Sequence, residues 1–224
     1  MSRTKLLING LTKYILGTIL FGAMLFLPAG TLHFTGGWLL MGVLLLPMLA
    51  MGIVMFFKSP ELLAKRLDPR EKQSAQKGVI GLSALMFLAV FVLAGLDFRF
   101  GWSRLPFGVN LLAAALLLVA YALYAEVLRE NAYLSRTIEV QEGQKVVSTG
   151  LYGIVRHPMY AVTLLLFAMM PLTLGSLPAL AVMAVYPVLI VIRILDEEKL
   201  LTKELDGYAE YKTKVKSRLI PFIW

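Results

Sequence analysis

The chain of 224 residues is 58% hydrophobic and 16% charged, with a mean hydropathy of +0.75, which excludes an ordinary soluble domain and makes the bilayer its expected solvent. At about 20 apolar residues per crossing this length allows six spans and no separate soluble domain of normal size, so chemistry has to sit at helix ends. The net charge of +8 lies in short loops rather than along one face, arguing for membrane topology and against nucleic acid, while the lack of cysteine excludes disulfides and thiolate chemistry and the distant His33 and His157 suggest no metal site.

The basic start of the chain runs into an apolar stretch without a small-residue cleavage pattern, and further spans follow, so it reads as a retained first helix rather than a removed signal. Apolar runs at residues 14–29, 38–57, 79–96, 105–128, 160–174 and 177–195 predict an all-α, polytopic integral membrane protein with six transmembrane helices, the fifth the shortest. Between the second and third, residues 60–69 set Leu62, Leu63 and Leu67 against Lys65 and Arg66, which predicts a short interfacial helix with its basic side chains snorkelling to water. The sharper alternative for this piece is contact with an anionic lipid substrate.

Pro171, Gly175 and Pro178 interrupt what would otherwise be one apolar run of more than 30 residues, too long for a hydrocarbon core of roughly 30 Å, so a tight helical hairpin is expected there. Lysine and arginine concentrate before the first span, in the second and fourth loops and after the sixth, whereas the loop at 30–37 carries no charge. By the positive-inside rule both termini and the two long loops face the cytoplasm.

Polar character begins at Glu126 and continues through Arg129, Glu130, Asn131, Tyr133, Ser135 and Arg136, directly after an apolar helix. Residues 138–147 alternate and contain Gly143, which predicts a hairpin or an irregular loop returning to the membrane surface. A loop of this length in so small a protein points to function. Arg156-His157-Pro158-Met159-Tyr160 then opens the fifth span. Pro158 suits the first helical position, His157 becomes the N-cap, and the helix dipole with Arg156 predicts a site for a carboxylate.

At the other end of the hairpin, Arg193 and Glu197 are four residues apart and can pair on one helix face, while Glu198 is rotated by about a third of a turn or less from Glu197. Acidic residues near a helix C-terminus oppose its dipole, so something else must favour them. If the last two spans are antiparallel neighbours, the two clusters end at one level and can share a pocket.

Gly150-Leu151-Tyr152, Arg156-His157-Pro158-Met159-Tyr160, Arg193 with Glu197-Glu198-Lys199-Leu200, and the closing Tyr208, Tyr211, Val215 and Pro221-Phe222-Ile223 resemble the C-terminal signature of the isoprenylcysteine carboxyl methyltransferase family, its bacterial relatives and the related phospholipid methyltransferases. The likeness covers roughly the last 95 residues. It implies an S-adenosylmethionine site closed over by the loop and tail, and a lipophilic small-molecule or lipid acceptor entering from the bilayer. On this resemblance Tyr152, Arg156, His157, Pro158, Tyr160, Glu197 and Glu198 bind the cofactor, with Arg156, His157 and Glu197 in catalytic roles and no metal. Residues 1–127 form the acceptor side, 128–224 the cofactor side, and the host membrane is a bacterial or archaeal plasma membrane.

Methyl transfer from a sulfonium needs alignment and water exclusion rather than a metal, and an amine acceptor would add a base such as His157 or a glutamate. Two other readings stay open at this stage: a sterol-reductase-like enzyme using a nicotinamide dinucleotide, since such reductases have a similar Arg-His-Pro-x-Tyr segment, and a transporter or scaffold whose charges serve topology alone.

Overall fold

The computed structural model describes residues 3–67, 74–134 and 140–224. Among them the chain is helical without strands: α1 (Arg3–Ala29), α2 (Thr35–Lys58), α3 (Pro60–Leu67), α4 (Ser74–Phe100), α5 (Phe107–Glu130), a 3-10 turn (Gly150–Gly153), α6 (Pro158–Leu174), α7 (Leu177–Met183), α8 (Tyr186–Glu204) and α9 (Tyr208–Lys214). Five segments are long and apolar enough to cross a membrane, α7 and α8 together making the fifth, and α6 is a shorter apolar helix of about 25 Å. The expected multi-pass, all-α architecture is what the chain adopts.

Three boundaries differ from the hydropathy pattern. The sixth apolar run is not one helix: it breaks at Ala184 and Val185, where Pro187 in the first turn of α8 cannot complete the ladder to the preceding turn. Beyond residue 195, α8 continues to Glu204, because helical hydrogen bonding persists where apolar character stops. Of the 138–147 segment, residues 138 and 139 lie outside the described ones. The remainder is an irregular loop turning at Gly143 (φ +70), with Gln144 N–H donating to Gln141 C=O at 3.0 Å.

α5 and α6 run antiparallel. Buried Asn110, in the first turn of α5, donates from Nδ2 to the Thr173 carbonyl at the end of α6 (3.0 Å), and Asn131 just past α5 reaches Tyr152 just before α6 (3.0 Å). The hairpin after α6 forms as expected: Gly175 takes the left-handed cap (φ +79), and Ser176 caps α7 by accepting from Ala179 N–H at 3.2 Å. Asp97, buried at the end of α4, accepts from Ser103 N–H and Oγ, both at 2.7 Å, and Ser103 Oγ in turn accepts from Leu177 N–H at 3.0 Å. This end of the bundle is thus tied together by neutral donors around one carboxylate.

Inside the bundle, α1 and α4 approach until a Cβ on Gly95 would lie 2.6 Å from the Leu25 carbonyl oxygen. Small residues permit such contact where lipid offers no hydrophobic drive for association. Gly95→Ala is expected to destabilise the protein by about 1–3 kcal/mol, because backbone rather than a mobile side chain must move. A thermal melt in detergent checks this, and an unchanged midpoint would refute the close crossing. On α2, in the turn before Pro47, the carbonyls of Leu44 and Leu45 accept the hydroxyls of Tyr121 (2.8 Å) and Tyr14 (3.1 Å), so partners from α5 and α1 satisfy polar backbone within the membrane.

A short helix forms as expected at α3, and Arg66 does not simply extend to water: its guanidinium lies over the Tyr124 ring at 5.4 Å and donates to the Tyr124 hydroxyl. Residues 68 and 69 of the expected piece lie outside the described ones. Lys13 Nζ donates to the last carbonyl of α3, Leu67 O, at 2.6 Å.

Candidate active site

The site is built where α5, α6 and α8 end together. Glu130, the last residue of α5, holds the 3-10 turn by accepting from Leu151 N–H at 3.0 Å. Gly150 makes this possible: its φ is +51, and a Cβ there would fall 1.4 Å from Glu130 Oε1. The turn presents Tyr152, whose hydroxyl accepts from Asn131 Nδ2 and whose carbonyl accepts from Tyr211 Oη at 2.6 Å. Burial pushes the phenols of Tyr152 and Tyr208 well above their ordinary range and that of Tyr211 up to about 12, so all three remain hydrogen-bond donors at physiological pH.

Arg156 and His157 follow, and both are buried. Their backbone N–H groups donate to the carbonyls of Ser217 and Arg218, each at 2.9 Å, so the segment after α9 lies along the entry to α6. The Arg156 guanidinium donates from Nε to Glu198 Oε1 (2.7 Å) and from Nη1 to the carbonyls of Val215 and Lys216 (both 2.8 Å). Arg218 Nε closes on Glu198 Oε2 at 2.9 Å. With the Arg156 and Glu198 side chains each only 5% exposed, Glu198 is the hub of a buried lock.

His157 occupies the expected N-cap position, but its side chain makes no capping bond; Nε2 lies 3.3 Å from Glu198 Oε1. The carboxylate can only accept, so Nε2 carries the hydrogen. A capping imidazole would accept from a neutral backbone N–H, whereas here the ring donates to a carboxylate, which is the stronger bond. The start of α6 is accordingly less open to an external anion than its sequence suggests, because the closing segment takes up the N–H groups of Arg156 and His157.

Glu197, one residue earlier and about 100° around the helix, points into different surroundings. Its Oε2 accepts from the Tyr160 hydroxyl at 2.5 Å, and that hydroxyl accepts from Arg193 Nε at 3.0 Å. The acidic pair is therefore divided by helical rotation into a lock residue and a cavity residue.

One cavity gathers these groups. Among the sequence-derived candidates Tyr152, Arg156, His157, Tyr160 and Glu197 line it, whereas Pro158 and Glu198 are absent from its wall: Pro158 is buried as the first residue of α6 and Glu198 faces the lock. The wall also includes Asn131, Tyr133, Lys145, Arg193, Tyr208 and Tyr211, which the motif reading did not assign to ligand binding. Their polar types were visible after α5 and in the closing segment, but their convergence depends on tertiary folding. Tyr208 stands out, since it is only 4% exposed and its hydroxyl has no hydrogen-bond partner among the described residues. A buried hydroxyl left unmatched beside a cavity is free to bond a group held there.

The wall thus carries a carboxylate, guanidinium groups and several phenol rings at the end of a membrane bundle, with the Arg-His-Pro-x-Tyr segment at its centre. Residues 103–207 match the model of the phospholipid methyltransferase family. The match begins before α5, earlier than the sequence resemblance reached, and stops just before Tyr208. The family is that of the isoprenylcysteine carboxyl methyltransferase-like membrane methyltransferases, which the motifs also resemble. No curated protein matches the chain. Phospholipid methyltransferases transfer methyl groups at a membrane and in general use S-adenosylmethionine.

Proposed function

We propose that the cavity binds S-adenosylmethionine and that the protein methylates a lipophilic acceptor reaching it from the bilayer. The unsatisfied Tyr208 hydroxyl carries this reading, because it sits in a wall that also offers complementary groups for each part of such a ligand. Glu197 suits an ammonium or ribose hydroxyl, Arg193 suits a carboxylate, and the faces of Tyr152, Tyr160 and Tyr211 suit a sulfonium or a purine. When bound, the cofactor supplies an electrophilic methyl group.

The chain's own residues then bind, orient and exclude water. Glu198 fixes Arg156 and His157, the closing segment covers the entry to α6, and Tyr160 holds the Glu197 carboxylate in one orientation. Arg156 acts in this reading as a positioning residue more than as an open anion ligand. The matched family's description names phospholipids, and an acceptor bearing an amine would need a base, for which Glu197 is the candidate when it does not hold the cofactor's ammonium; a prenylcysteine-like carboxylate would need none. Residues 1–127 would supply the acceptor side, with the site end of the bundle facing the cytoplasm.

Tyr208→Phe tests the cofactor site. Losing one hydrogen bond to ligand is expected to weaken S-adenosylmethionine binding about 2- to 12-fold, while the ligand-free protein melts no lower, since an unmatched buried hydroxyl has been removed. Calorimetric titration and a thermal melt read the two effects. Unchanged affinity would sink the assignment, and saturable binding of a nicotinamide dinucleotide in place of S-adenosylmethionine would favour the reductase reading. Mass spectrometry of lipids after incubation with methyl-labelled S-adenosylmethionine identifies the acceptor.

A further inference from the structure

The segment after α9 leaves one apolar feature unexplained. Val215 belongs to a small cluster with Leu205, Tyr208 and Tyr211, apart from the bundle core, whereas Leu219 lies in the main bundle core and Trp224 packs against it. Between residues 215 and 219 the chain therefore returns from the cap to the body of the bundle, at the level where α6 begins. Ile220, Pro221, Phe222 and Ile223 then form a turn closed by Leu219 and Ile220 N–H donating to Trp224 O (2.8 and 3.1 Å). Phe222 is wholly exposed, and Ile223 and Ile220 are exposed as well.

Phe222 also has φ +65, which a bulky residue rarely adopts, and its N–H is held by Ser217 Oγ at 3.1 Å. The turn thus presents an aromatic ring outward in a conformation that the surrounding bonds enforce. Lys214 and Lys216 are exposed just before it. Arg218 lies over the Trp224 ring at 5.0 Å while reaching Glu198, so the turn is joined directly to the lock. An apolar tip flanked by lysines at interface depth has the chemistry of an anionic leaflet, where aromatic and aliphatic groups enter the acyl boundary and ammonium groups meet headgroup phosphates.

We infer that the turn formed by residues 220–223 inserts Phe222 and Ile223 into the lipid leaflet on the site side of the bundle, with Lys214 and Lys216 on anionic headgroups. The inference does not rest on the methyltransferase reading, and its test is optical rather than enzymatic. Because the chain has no cysteine, Ile223→Cys and, separately, Phe222→Cys each give a single position for a nitrobenzoxadiazole label. Asp206→Cys, exposed in the turn before α9 and at the far end of that helix from Lys214, serves as the aqueous reference.

In phosphatidylcholine vesicles containing phosphatidylglycerol, labels at 222 and 223 are expected to shift to shorter emission wavelengths. Lipids brominated near the headgroup should quench them at least twofold, while the label at 206 responds only to aqueous iodide. Labels at 222 and 223 as accessible to iodide as the one at 206, and untouched by brominated lipid, would overturn the insertion. Quenching should deepen with phosphatidylglycerol content and lose that dependence in a Lys214→Gln/Lys216→Gln background; equal quenching in pure phosphatidylcholine would overturn the anionic part.

Discussion

Glu198→Ala is expected to lower the stability of the protein by about 3–5 kcal/mol, the cost of stranding buried charges by removing one partner. The carboxylate accepts from Arg156 Nε, Arg218 Nε and the His157 ring, and Arg156 is almost wholly enclosed, so its guanidinium cannot turn to water without opening the packing around it. The damage should be local in origin. With Arg218 released and Arg156 free to move, the segment that lies along residues 156 and 157 loses its charged anchor and keeps its backbone bonds, the two carbonyl contacts of Arg156 and the packing of Val215 and Leu219. Hydrogen exchange at residues 215–219 should then rise well before exchange in α5 or α6. Glu198→Gln keeps the shape and one acceptor but removes the charge, and should fall between wild type and alanine. An alanine variant that melts normally and protects residues 215–219 normally would show that the lock contributes nothing.

Much of the bundle was legible because hydropathy reports what the bilayer demands. The spans, the hairpin at Gly175 and Pro178, and the short helix α3 all follow from apolar run length and from residues whose backbone chemistry ends a helix. Where the pattern went astray, the cause was local hydrogen bonding, to which hydropathy is blind. The break between α7 and α8 lies in an unbroken apolar run, and the continuation of α8 to Glu204 lies in a charged one.

The motif segments converge on one cavity, and spacing explains how far the sequence could take this. Residues 156 and 160 open one helix, residues 193 and 197 share a face of another, and a short hairpin brings those ends together. The division of labour between Glu197 and Glu198 was not legible, since rotation along a helix says that they diverge but not what each will meet. Nor was the cavity's other wall. Tyr208 and Tyr211 enter it only because α9 folds back and Tyr211 Oη bonds the Tyr152 carbonyl, a contact between residues 59 apart in sequence.

Glu197→Gln separates ligand chemistry from folding. The side chain lines the cavity, and its replacement keeps an oxygen to accept from Tyr160, so the variant should melt close to wild type. What it loses is negative charge beside a ligand proposed to carry an ammonium group. A hydrogen bond to a charged partner contributes about 1.5–3 kcal/mol, so S-adenosylmethionine affinity should fall roughly 10- to 150-fold. An analogue lacking the amino group should already bind weakly to wild type and suffer little further loss in the variant. If both ligands lose affinity equally, Glu197 acts on a part that they share, such as the ribose; if neither does, it plays no part in binding. A normal affinity with a collapsed turnover would instead make Glu197 the group that takes the acceptor's proton, an outcome confined to amine acceptors because a carboxylate acceptor has no proton to give up.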